Sequence, residues 1–116
     1  MEIPPKLQSQ LAQYQQIQQQ LQLIATQKIQ LSAKITEVEK TIEEIKKSSK
    51  DALLFKNIGS VFIKVEDISA LEKELVEEKD TLEIKVRSLE RQEEQLSTRF
   101  HTLRDELTKA MKSIEK

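Results

Sequence analysis

Ala52-Leu53-Leu54-Phe55-Lys56-Asn57-Ile58-Gly59-Ser60-Val61-Phe62-Ile63-Lys64-Val65 sets two short apolar, partly β-branched runs on either side of the only glycine in the chain. Runs of this kind around a turn signal predict a β-hairpin over about residues 52–65. The turn falls on Asn57-Ile58-Gly59-Ser60, with the glycine where positive φ is needed. Leu53, Phe55, Val61, Ile63 and Val65 take alternating positions along the strands, and Leu54 and Phe62 take the other face. A two-stranded hairpin is marginal in water, and apolar side chains on both faces leave it two bare edges besides. It needs partners. Hairpins from several chains, joined in a common sheet or barrel, would pair those edges and bury Phe55, Val61 and Ile63 together. The expectation is an obligate oligomer with a β platform from which helices project.

On the N-terminal side, Pro4-Pro5 leads into a helix over about residues 5–48, since proline is tolerated in a first turn whose N–H groups have no partner. Leu7, Leu11, Tyr14, Ile17, Leu21, Ile24, Leu31, Ile35, Val38, Ile42 and Ile45 recur at threes and fours, the seam of a coiled coil. The step of three from Tyr14 to Ile17 comes where four is due and reads as a stammer.

On the C-terminal side, Leu75, Leu82, Leu89, Leu96 and Leu103 stand at strict sevens, with Val86, Phe100, Leu107, Ala110 and Ile114 between or beyond them. Ser69-Ala70-Leu71-Glu72 fits a capping box and starts a second helix over about 69–115, with Asp67 as the rival cap. The helices match in length at roughly 65 to 70 Å each, so the second folds back on the first as an antiparallel pair with both chain ends at one tip. Two charges fall in the seam, Lys28 and Glu93, one layer apart and of opposite sign. They are expected to pair, and polar seam residues of this kind can fix register.

Composition agrees with helices and opposes most other classes. The 116 residues are 34% charged, 37% apolar and 3% aromatic, against about 25% charged and 45–50% apolar in an ordinary globule. Such a chain does not bury a compact core alone. Without cysteine there is no disulfide, no thiolate nucleophile and no cysteine-bound zinc. His101 is the only histidine, so neither a metal site nor a catalytic dyad is built on it, and a surface position is expected. Glu77-Glu78 and Glu93-Glu94 are sequence neighbours that splay apart on a helix, and the lone glycine excludes a Gly-rich phosphate loop. No enzymatic activity, cofactor or metal is expected.

Residues 3–36 hold three lysines and no acid, whereas from Glu66 on there are 14 acids to 10 bases. No concentrated basic surface is present to displace counterions, so nucleic acid is not an expected partner. The five-leucine heptad does not make a zipper transcription factor, because acidic Glu66-Asp67 stands where a basic region belongs. Apolar runs stop at four residues, Ala52–Phe55, far short of the ~20 of a membrane span. Met1–Pro5 has neither the basic nor the apolar segment of a secretory signal, so a cytoplasmic address is expected. The 11 glutamines between Gln8 and Gln30 read as a solvated helix face, given the helical spacing of the apolar residues among them.

The order helix, Phe55-Lys56-Asn57-Ile58-Gly59-Ser60-Val61-Phe62-Ile63-Lys64, helix resembles the β class of the prefoldin family, co-chaperones of archaea and eukaryotes, over nearly the whole chain. Leu11-Ala12-Gln13-Tyr14-Gln15-Gln16 and Arg91-Gln92-Glu93-Glu94 add to the match, and a single hairpin argues for the β class over the two-hairpin α class. Phe55 departs from the family's usual tyrosine. The resemblance implies one domain over residues 1–116, in a hexamer of two α-type and four β-type subunits with a double β-barrel and six coiled coils. It further implies ATP-independent capture of non-native polypeptides at the tips and transfer to a group II chaperonin. Tip candidates are Ile3, Leu7, Leu11 and Tyr14 on the first helix with Leu107, Met111 and Ile114 on the second. Of these, Ile3 and Met111 lie off the assigned seam. The assembly residues would be Leu53, Leu54, Phe55, Gly59, Val61, Phe62, Ile63 and Val65. A structural coiled-coil adaptor with one native partner is the alternative.

Overall fold

The computed structural model describes residues 3–115, apart from the side chain at 115; the ends of the expected 1–116 domain, Met1, Glu2 and Lys116, lie outside the described residues. Helix α1 (Pro5–Lys47) and helix α2 (Ile68–Glu115) are joined through strands β1 (Phe55–Ile58) and β2 (Val61–Lys64). The backbone clusters into two compact units: the residues up to Ile29 with those from Arg87 onward, and Gln30–Val86.

Local chemistry accounts for the element ends. Proline occupies the first position of α1, and the Gln8 N–H closes the first turn on the Pro4 carbonyl at 3.0 Å. Lys46 and Lys47 complement the negative end of the helix dipole, and the Ser48 hydroxyl donates to the Ile45 carbonyl at 2.6 Å, closing the last turn. At the start of α2 the cap is Asp67, not Ser69: its carboxylate accepts the Ala70 N–H at 3.1 Å and its carbonyl the Leu71 N–H at 3.2 Å. An aspartate caps as well as a serine and adds a charge that suits the helix N-terminus. The earlier start also lets Ile68 become half-buried.

In the first unit the helices run antiparallel, from Gln10 with Glu106, through Tyr14 with Phe100, to Lys28 with Glu93. Leu7, Ile17, Ile24, Leu103 and Leu107 are buried there. The stammer is absent: Gln10, not Leu11, takes the seam position between Leu7 and Tyr14. Threes and fours then alternate without a break from Leu7 to Ile45. The amide of Gln10 donates to Glu106 across the helix pair at 3.1 Å, while Leu11 is turned outward and 39% exposed.

In the second unit Val38 is buried and Leu31, Ile35, Ile42, Leu75 and Leu82 are half-buried on the same periodicity. The strands pair Phe55 with Lys64, Lys56 with Ile63, Asn57 with Phe62 and Ile58 with Val61. The turn is therefore the two residues Gly59-Ser60, tighter than expected. Gly59 has φ of +61° and, among the described residues, no other has positive φ, as a type II′ turn requires.

Candidate functional site

Two apolar surfaces stand out, one in each unit. On the hairpin every strand residue is exposed, Phe62 at 71%. Strand register corrects the expected faces. Paired residues share a face, so Ile58, Val61 and Ile63 lie together with Lys56, and Phe55 lies with Phe62, Asn57 and Lys64 on the other. Phe55 is thus not on the face of Val61 and Ile63: any turn of an even number of residues, the expected 57–60 as well as the observed Gly59-Ser60, sets Phe55 on the face of Phe62. Leu53 is exposed, whereas Leu54 and Val65 are half-buried and extend the ladder, the Val65 N–H donating to the Leu54 carbonyl at 2.8 Å. Lys56 Nζ reaches Glu74 Oε1 on α2 at 3.2 Å.

The second surface is where the start of α1 meets the end of α2. Of the residues singled out there, Leu7 and Leu107 are buried between the helices, and Tyr14 is half-buried with its ring stacked on Phe100 at 4.5 Å. Ile3, Leu11 and Met111 are exposed and Ile114 is half-buried. Met111 shares an open groove with Tyr14 and Leu107, rimmed by Arg104 and Lys112. Leu7 and Ile114 line a second groove with Pro4 and Ala110. Exposed thioether and aliphatic carbon beside long cationic side chains offers adaptable apolar contact with a polar rim.

Between these surfaces in sequence, Lys28 Nζ and Glu93 Oε1 are 3.0 Å apart. His101 is exposed, its ring meeting Phe100 edge-on at 5.8 Å. Sequence reading missed the Tyr14–Phe100 stack and missed the exposed Leu23, Ile29, Val76 and Ile84. The signal for those four was available: none falls on the three-four seam. Among the described residues no cluster of acids and histidines could hold a metal ion, and no helix is long and apolar enough to cross a membrane.

A family model described as prefoldin subunit matches residues 8–114. The prefoldin subunit beta of Methanosarcina acetivorans is 39% identical over 110 residues, 95% of this chain and 93% of that protein. That of Pyrobaculum arsenaticum is 40% identical over 114 residues, 98% of this chain and 91% of that protein. The crystal structure of the prefoldin beta subunit from Thermococcus strain KS-1 superposes with a TM-score of 0.81 at 35% identity, covering 94% of this chain and 95% of that one.

Proposed function

The chain belongs to the prefoldin subunit family, which supports a prefoldin-type chaperone function and assembly with other prefoldin subunits, and from that premise we propose how it acts. As a β-type subunit, in a cytoplasmic heterohexamer of two α-type and four β-type chains, it holds non-native polypeptides at its helix ends without ATP. It then hands them to a group II chaperonin. The whole chain serves as one prefoldin-like domain.

The observation that carries this reading is the exposure of Ile3, Leu11 and Met111 where the two helix ends meet. Terminal turns lack hydrogen-bond partners and open most readily, so neighbouring Leu7, Leu107 and Ile114 become available with them. Each end alone binds weakly. Several ends carried on one assembly raise the effective concentration of the next contact, and avidity exceeds any single affinity. The hairpin supplies the means of assembly, since fully burying a Val, Ile or Phe side chain is worth ~1.5–3 kcal/mol and four such residues there are more than half exposed.

The test is a titration of the complex formed with an α-type subunit, without nucleotide, against several unrelated fluorescently labelled proteins, each unfolded and native. Anisotropy should rise with every unfolded chain and with none of the native forms. Saturable one-to-one binding to a native protein, with no response to unfolded chains, would replace the chaperone with an adaptor.

A further inference from the structure

We infer that the Lys28–Glu93 ion pair selects the register of the two helices in the unit that holds the chain ends. The inference does not depend on what those ends bind. It starts from a degeneracy in the sequence. Leucines at Leu75, Leu82, Leu89, Leu96 and Leu103 repeat at seven, and the facing seam of α1 is apolar except at Gln10 and Lys28. Sliding one helix past the other by a heptad, about 10 Å, returns leucine to every place that leucine left except the last. Apolar packing therefore discriminates poorly between the two arrangements. Nor does the connection forbid the slide. Residues 48–54 between α1 and β1 belong to no regular element, and seven residues extend to at most ~25 Å.

The charged layer breaks the degeneracy. Lys28 and Glu93 are 3.0 Å apart with side chains only 28% and 35% exposed, and among the described residues theirs is the only ion pair joining the helices of this unit. After a one-heptad slide each charge would lie some 10 Å from its partner. The place Glu93 holds beside Lys28 would pass to Val86 or Phe100, and the place Lys28 holds beside Glu93 to Leu21 or Ile35. An unpaired, partly desolvated charge against an apolar seam is disfavoured far more than the native pair is favoured. The Tyr14–Phe100 stack would be lost in the same movement. The pair thus adds little net stability and much specificity, as a polar seam residue does in other coiled coils.

The chain has no cysteine, so nitroxide labels at Gln18→Cys and Asp105→Cys, both exposed, report the helix offset alone. Diluting labelled with unlabelled chain isolates the distance within one molecule. In the parent sequence electron–electron resonance should give one distance. In Lys28→Leu/Glu93→Leu, a fully apolar seam that folds at equal or higher melting temperature, a second population should appear with its axial offset changed by about 10 Å. The swapped variant Lys28→Glu/Glu93→Lys should return to the single distance. A single native distance in the dileucine variant overturns the inference, and so does a swapped variant that remains split.

Discussion

At Gly59 the backbone turns with φ of +61°, and a Cβ built there meets nothing within 4 Å. The constraint is conformational, not steric crowding. Gly59→Ala should destabilise the hairpin by about 1–2 kcal/mol, and Gly59→Asn by less, because asparagine tolerates the left-handed region. Thermal melts of the assembled protein at one fixed concentration measure both, since melting of an oligomer depends on concentration. Asp67 offers a second single-residue test. Removing its cap should cost about 1 kcal/mol in Asp67→Ala, whereas Ser69→Ala, which touches no cap, should stay within about 0.5 kcal/mol. Equal losses in the two would return the capping role to Ser69.

The helices are held through a narrow seam, and burial along it sets the cost of each substitution. Leu103, 2% exposed, should lose about 2–5 kcal/mol as Leu103→Ala, while Leu23→Ala on the exposed face should change little; urea unfolding at fixed concentration compares them. This level was the most legible in the sequence, because threes and fours repeated over eleven layers leave no other element to choose. An error in the seam itself, the place given to Leu11, has a plain cause. Hydrophobicity favours leucine over glutamine, but four residues back from Tyr14 falls on Gln10, and the amide can meet Glu106 there. The hairpin was legible from one glycine between apolar runs. Its register was not, since Ile58 suits a strand or a turn and only the tight Gly59-Ser60 turn pairs Ile58 with Val61 and Phe55 with Lys64. The exposed ends were legible only as candidates: periodicity marks which residues can face a partner helix, not how far the last turns cover them.

For the whole molecule the hairpin poses the sharper problem, with Phe55, Ile58, Val61, Phe62 and Ile63 exposed on both faces. A patch of this kind on one chain requires cover. Ile63→Asp, which puts a charge on the face shared by Ile58 and Val61, should shift the chain to smaller species in sedimentation velocity; an unchanged distribution would place the subunit contacts elsewhere. The helix ends bear the functional claim, and they can be altered without touching packing. In Ile3→Ser/Leu11→Ser/Met111→Ser all three substituted side chains are exposed, so the fold and its assembly should persist. The decisive measurement is light scattering from a denatured protein diluted into buffer with the complex that this chain forms on mixing with an α-type subunit, without nucleotide. The parent complex should suppress aggregation and the triple-serine complex, intact by sedimentation, should lose most of that suppression. Equal suppression by both would contradict capture at the helix ends, and aggregation unaffected by the intact parent complex would contradict the chaperone itself.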